Sequence, residues 1–394
     1  MVSQLPFLIL LFTLVAILLR LDFIFYVVYV CFGIFALSQW WTTRGLMRLQ
    51  VRRRFTDHVF LDEQVTVEIE VCNQSRIPIP WVQVNEVVPI MLHQPSSVRQ
   101  VMALGGQSRG LVRYNLDCRR RGYYPLGPLF LNTGDLFGFA DGERKDVIPD
   151  YITVYPEIVS LSRLGLPSKS LFGTIKTPQQ IYEDPARTVG VRDYRPGDSL
   201  RRMHWKASAR QERLLVRKYE PAISLGTMIF LNLNRKEYDE TTWAGVSEWA
   251  IVVAASLANH LVQERQAVGL HTNGRDPIAA DGKPLVLPPR AGRAHLMKLL
   301  ETLARVEVQE TTPLAEWLRP AAIDLPWGVT VVVITPVGDE ATCAALHSLV
   351  RAGFVVVLMV CEPQLHFAQV RGRAQHLGFR AFPVWDEKRL RVSS

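Results

Sequence analysis

Ser199, His204 and Ser208 fall close together in the stretch RTVGVRDYRPGDSLRRMHWKASARQERLLVRKY, residues 187–219. A hydroxyl beside an imidazole is the raw material of nucleophilic catalysis. That chemistry needs a base held against its nucleophile and a third group orienting the base. No G-x-S-x-G elbow surrounds either serine, and no HExxH, Walker or dinucleotide fingerprint occurs in the chain. What the stretch does carry is charge. Ten Lys or Arg and three Asp or Glu are interleaved with Val189, Val191, Tyr194, Met203 and Trp205. Unpaired charge cannot be buried cheaply, and these apolar residues are too many for a disordered tail. An ordered, half-buried basic segment follows.

Within it, Asp193 and Asp198 are expected to pair with arginines such as Arg192, Arg195, Arg201 or Arg202, and Pro196-Gly197 suits a type II turn. His204 and Trp205 then open a helix or strand. Two readings stand side by side: the segment is interdomain glue, or its free cations face an acidic partner surface or the membrane. The candidate partner-binding set is Arg192, Tyr194, Asp198, Arg201, Arg202, Trp205, Lys206 and Arg210.

The segment must be positioned by its flanks. After it, strands and helices alternate: a buried strand at 225–233, a helix at 243–264, strands at 268–272, 329–335, 354–360 and 379–384, and helices at 291–305, 313–319, 339–351 and 364–377. This predicts a mostly parallel sheet covered on both faces over residues 222–394. Ligands of such sheets bind beyond the carboxyl ends of the strands. Here those ends offer Asn232, Asn234, Thr272, Asn273 and Thr335, with few carboxylates nearby. Hard cations want oxygen ligands including a carboxylate, so only Asp239 or Asp339 would compensate, and no metal or cofactor is assigned.

Before the segment, residues 50–160 alternate with period two, as in Val65, Val67, Ile69 and Val71, and are punctuated by turns; they read as an antiparallel β-sandwich-like domain. Arg119-Arg120-Arg121-Gly122-Tyr123-Tyr124 is a basic-aromatic patch, read as a solvated strand end or an interdomain contact, with nucleic acid as the alternative.

Residues 1–43 read as a transmembrane helical hairpin. Apolar arms at 5–19 and 23–38 flank a tight turn at Arg20 to Asp22; a single helix of that total length would be about twice the hydrocarbon thickness. Trp40 and Trp41 suit an interfacial anchor. Arg44, Arg48, Arg52, Arg53 and Arg54 then direct the second arm into the cytoplasm. A cleaved signal peptide is disfavoured because no basic region precedes the first arm. The five cysteines are scattered and never in CxxC spacing, which indicates neither a disulfide framework nor a zinc site. The net charge of +8 favours anionic neighbours without choosing among lipid, protein and nucleic acid.

The run GVRDYRPGDSLRRMHWKASARQERLLVRK, with its R-D-Y-x-x-G-D turn and R-x-x-x-W-K-x-S-A-R core, resembles the signature of the family catalogued as Domain of Unknown Function 58. The R-R-G-Y of Arg120 to Tyr123 and the D-x-F-G of Asp135 to Gly138 agree. The resemblance implies an α+β multidomain chain: a membrane hairpin, a β-rich domain, the basic segment at 161–221 joining the domains, and a von Willebrand factor A-like α/β domain. It also implies an inner-membrane protein of bacteria or archaea, associated with MoxR-type AAA+ ATPases and often with transglutaminase-like membrane proteins, and without established catalysis. Relatives' A-like domains carry a D-x-S-x-S metal motif where this chain reads Asn232-Leu233-Asn234-Arg235-Lys236. Only Thr312 would match a threonine ligand, so metal-dependent adhesion is not expected. The functional expectation is a membrane-anchored, non-enzymatic scaffold. The alternatives are a hydrolase acting at the strand ends and anionic-ligand binding through the basic segment.

Overall fold

The computed structural model describes residue 13 and residues 22–92, 95–136, 138–146, 150–166, 183–194, 203–221, 226–279, 285–323, 325–326, 328–363 and 367–385. The chain forms two compact units, Met1–Pro156 and Glu157–Ser394.

The first unit begins with helix α1 (Asp22–Met47). The first apolar arm, 5–19, lies outside the described residues apart from Thr13. Asp22, expected in the outer turn, is instead the first residue of α1. The helix also outruns the expected boundary at residue 43. Its 26 residues span about 39 Å at 1.5 Å each, more than the hydrocarbon layer needs. The surplus is structural. Thr42 and Leu46 are buried, and Trp41, expected as an interfacial anchor, donates its indole N–H to the Pro78 carbonyl at 2.9 Å.

Ten strands follow: β1 (Leu49–Arg54), β2 (His58–Phe60), β3 (Gln64–Asn73), β4 (Ile79–Val87), β5 (Ser97–Leu104), β6 (Arg109–Asp117), β7 (Gly122–Leu126), β8 (Leu129–Gly134), β9 (Asp141–Asp146) and β10 (Asp150–Tyr155). They form sheets ordered β1-β3-β6, β5-β4-β8-β9 and β2-β10-β7. One core gathers Val67, Ile69 and Val71 of β3, Val112 and Leu116 of β6, Val82 and Val84 of β4, and Leu129 and Leu131 of β8. That is the alternation the sequence displays. Two details depart from it: β10 pairs with β2 in parallel, and β1 is a strand where juxtamembrane arginines were expected. The β1 parity sends Leu49 and Val51 inward, and Arg53 with them. Its guanidinium donates to Asp150 at 2.5 Å and to Glu86, whose other oxygen accepts from the Tyr114 hydroxyl at 2.9 Å. Arg53 is therefore no membrane-orienting charge, whereas Arg44, Arg48, Arg52 and Arg54 remain exposed. The basic-aromatic patch opens β7, where Tyr123 stacks on Tyr151 of β10 with ring centroids 4.6 Å apart.

The second unit carries β11 (Glu183–Asp193), α2 (Trp205–Gln211) and β12 (Leu215–Pro221), then β13 (Thr227–Leu231), α3 (Trp243–Gln263), β14 (Val268–Thr272), β15 (Leu285–Arg290), α4 (Arg293–Arg305), α5 (Leu314–Ala321), β16 (Thr330–Thr335), α6 (Glu340–Arg351), β17 (Val355–Val360), α7 (Phe367–His376) and β18 (Arg380–Pro383). Its main sheet is ordered β15-β14-β13-β16-β17-β18, parallel except for the β14–β15 pair. The antiparallel edge strand, LVLPPR, has no counterpart among the expected strands. Every residue of β13, β14 and β16 is buried, as a sheet covered on both faces requires. Phe230, Val333 and Leu358 pack with Trp317, Leu346 and Val370 of α5, α6 and α7. Helix α3 packs on β13, β14 and β16 and buries Val246, Ala250, Val253, Leu257 and Leu261. Both α1 and α3 are long and apolar enough to cross a bilayer, but α3 is spent as a core helix.

Candidate functional site

The basic segment folds, within its described part, into a strand, a short helix and a return strand. β11 and β12 pair antiparallel, setting Val191 opposite Arg217, Arg192 opposite Val216 and Asp193 opposite Leu215. Met203 bridges to Val216, and Met203, Leu215 and Val216 are buried. His204 caps the short helix. Its Nδ1 accepts from the Ala207 amide at 3.1 Å, which makes it the N-cap of α2. Glu212 ends the helix in a left-handed conformation, φ 51°.

Ser208 pins the corner. Its Oγ accepts from the Leu215 amide at 2.9 Å and donates to the His204 carbonyl at 3.1 Å. A Ser208→Ala change orphans a buried amide, a loss of about 1–3 kcal/mol. Amide hydrogen exchange at Leu215 is expected to speed up by one to two orders of magnitude on that basis. Unchanged protection would mean that the hydroxyl bond contributes nothing.

Around this inner seam the segment presents its polar face. Trp205 is 65% exposed, and Leu214 and Val191 are exposed as well. Lys206 and Arg210 are exposed one helical turn apart, on the same side of α2. Arg192 is exposed, with its guanidinium donating to the Asp193 carbonyl at 3.2 Å, and Tyr194 is half-buried, its amide donating to Leu214. Asp193 pairs with Arg213 at 3.4 Å, an arginine absent from its expected partners. Asp198, Arg201 and Arg202, with Arg195, Pro196, Gly197 and Ser199, lie outside the described residues. Of the expected set, Arg192, Tyr194, Trp205, Lys206 and Arg210 thus share one small element. Sequence reasoning missed Ser208 and His204 as its fasteners, because Ser208 lies inside α2 and histidine is not among the favoured N-cap residues.

The second candidate place is the carboxyl edge of the six-stranded sheet, where strand order reverses between β13 and β16. This crevice is filled from within. Asn232, fully buried, donates its amide to Thr335 Oγ1 at 3.1 Å and to Glu237, and its Oδ1 accepts from the Asn234 amide at 3.1 Å and from Asn273 Nδ2 at 3.0 Å. Asn273 Oδ1 accepts from the Leu233 amide, and Asn234 Oδ1 from the amide of Thr311. Glu237 accepts from the Leu314 amide at 2.8 Å. Asn234 reaches only the Thr312 carbonyl, not its hydroxyl, at 3.4 Å.

A cation does not fit this donor set, since the amide oxygens are already engaged by protein N–H groups. Asp239 and Asp339 do not compensate. Both are engaged locally: Asp239 accepts from the Thr241 hydroxyl and amide in a turn, which hold its carboxyl below the ordinary range, and Asp339 accepts from the Thr342 amide as N-cap of α6. The two cations of this stretch are turned to partners, Lys236 to Glu310 at 3.2 Å and Arg235 over the Trp243 ring at 4.8 Å. Among the described residues no group of three or more His, Cys, Asp or Glu gathers to hold a metal. Burial pushes the Glu362 carboxyl up, opposed by a hydrogen bond from Thr242, and pushes the Cys361 thiol far up; Cys118 is raised to about 11.

Among curated proteins, the chain is similar to the uncharacterized protein YeaD of Bacillus subtilis strain 168, at 23% identity over 208 residues. The match covers 53% of this chain and 48% of that one, so the chain spans about half the length of that relative. Solved structures give partial likenesses. The CARDB domain of a Pyrococcus furiosus protein matches with a TM-score of 0.22 and 18% identity, over 27% of this chain and 91% of that one. A β-glucosidase of Listeria innocua matches with a TM-score of 0.18 and 17% identity, over 27% and 16%. At such scores neither carries an argument about fold or activity. A family model described as "Protein of unknown function DUF58" matches residues 190–332, a span that begins in β11 and takes in the return strand, the amide-filled crevice and the first strands of the main sheet. Through that segment the chain is similar to the DUF58 family.

Proposed function

We propose that this chain is a membrane-anchored, non-enzymatic scaffold whose β11–α2–β12 element docks an acidic face of a protein partner. The observation that carries this reading is the exposed Trp205, flanked on α2 by exposed Lys206 and Arg210 and braced by the buried Met203–Ser208–Leu215 seam. A solvent-facing tryptophan among cations on a rigid support has the composition of an interface anchor. The filled crevice and the raised Cys118, Cys343 and Cys361 thiols favour binding over the hydrolase alternative, since thiolate nucleophiles need lowered pKa values.

The family resemblance supplies the partner class, a MoxR-type AAA+ ATPase, with a transglutaminase-like membrane protein as a further member of the assembly. The second unit is read as a von Willebrand factor A-like domain. Its sheet order, with one antiparallel edge strand, supports that reading. The exposed Arg44, Arg48, Arg52 and Arg54 after the apolar helix support an inner-membrane protein with both units in the cytoplasm.

The test uses the full chain in nanodiscs and a purified MoxR-type ATPase from the same cell. Trp205→Ala with Lys206→Glu and Arg210→Glu should weaken association at least thirtyfold, about the 2 kcal/mol of one aromatic hot spot. Thermal stability should hold, because all three side chains are exposed. Equal affinity of the triple variant, or no association by the parent chain, overturns the proposal.

A further inference from the structure

The β8–β9 hairpin lies along helix α1, and its contacts fix which way it points. At its base, Arg144 Nη1 donates to the carbonyls of Leu46 and Leu49, each at 2.8 Å. Further along, Gly142 lets the helix approach so closely that a Cβ there would sit 3.2 Å from Leu46 Cδ2 and Thr42 Cγ2. At its turn, Asp135 Oδ2 accepts from the Ser38 hydroxyl at 2.9 Å, and the Phe139 carbonyl accepts from Gln39 Nε2 at 3.4 Å. As the hairpin runs from base to turn, the helix partners run from Leu46 back to Ser38, about 12 Å at 1.5 Å per residue. The turn is therefore aimed at the apolar end of α1.

That level is where the helix changes character. The apolar run ends at Leu37; Ser38 and Gln39 follow, and then Trp40, with the Arg44 guanidinium 5.8 Å above its ring. Leu37 is 57% and Trp40 50% exposed, and at the same level Leu136 projects from the turn at 77%. A single exposed leucine means little by itself. This one sits beside Asp135, whose bond from Ser38, with that of Gln39 to the Phe139 carbonyl, holds the turn at the height where an interfacial tryptophan belongs.

We propose that the hairpin turn carrying Leu136 is a second bilayer contact, with Leu136 entering the boundary between headgroups and acyl chains beside α1. The proposal rests on reading α1 as a membrane span. Its occupant is lipid, because the turn is fixed at the depth where the spanning helix leaves the hydrocarbon. The sandwich would then stand on the membrane at two points, and its rotation about the helix axis would be set.

The test places a polarity-sensitive fluorophore on single cysteines in the full chain, in a Cys31→Ser, Cys72→Ser background, within phosphatidylethanolamine–phosphatidylglycerol vesicles. The positions are Leu136→Cys, Tyr29→Cys in the apolar helix, and Thr66→Cys, exposed on β3 at the end away from α1. Quenching by a lipid with a shallow spin label should be several-fold stronger at 136 than at 66, and iodide should quench 136 less than 66. If 29 is quenched by lipid while 136 behaves like 66, the turn stands in water and the proposal falls. If 29 is not quenched by lipid, α1 is no span, and both readings fall together.

Discussion

Replacing Arg53 with Met should destabilise the first unit by about 3–5 kcal/mol, the range for removing one partner of a buried ion pair. Arg53 and Glu86 are each at most 1% exposed, and Asp150 is the one member of the cluster with a water-facing side, at 33%. Without the guanidinium, Glu86 keeps only the Tyr114 hydroxyl as a partner from this cluster. Burial already pushes its carboxyl above the ordinary range, with Arg53 the main opposing influence. In the variant the carboxyl rises further and takes up a proton more readily, so the penalty should shrink as pH falls toward 5, roughly the upper end of carboxylate titration. Adding Glu86→Gln removes the orphaned charge, keeps an acceptor for Tyr114, and should restore more than half of the loss. Hydrogen exchange of β3 and β4 amides in the intact chain reads both quantities. A loss below about 1 kcal/mol, the range of exposed pairs, would mean that water reaches the pair.

The second large effect concerns acid. His271 is 6% exposed, its ring 5.1 Å from Phe230 and 5.0 Å from Trp317, and burial lowers its pKa from 6.5 to about 4. The folded ring stays neutral while the unfolded chain binds a proton below pH 6.5. The neutral ring's contribution is thus whole above that pH and is lost as pH falls to about 4. At about 1.4 kcal/mol per pH unit across the window, about 3 kcal/mol disappears. His271→Phe should flatten this slope even if the larger ring itself costs some stability at neutral pH. Urea unfolding of the second unit at pH 7 and near pH 4, followed by hydrogen exchange of β14 and β16, makes the comparison. Parallel pH profiles for variant and parent would show that the ring is not the titrating group.

How far such features are legible in sequence differs by element. The β-branched run Thr330–Thr335 and the helical spacing of Val246, Ala250, Val253 and Leu257 each lie on one physical period, and their elements begin and end within a residue or two of expectation. β15 was hidden because Pro288 and Pro289 cannot donate to a ladder and so weaken any strand signal except at a sheet edge. β1 was hidden because LQVRRR reads first as charge. Its signal was parity: Leu49, Val51 and Arg53 share a face, as do Val82, Val84 and Glu86 on β4, so the buried pair was visible to period-two reading. The amide-filled crevice was not visible. An asparagine at a strand end has the same letter whether it greets a ligand or a neighbouring amide, and only three-dimensional placement separates the two.

Both rims of the main sheet carry imino acids, Pro288 and Pro289 on β15 and Pro383 on β18. Neither rim can offer an unbroken row of donors to an incoming extended segment. Polymerisation by adding strands is discouraged at both ends. Whatever associates with this unit must recognise it through side chains instead of lengthening its hydrogen-bond ladder.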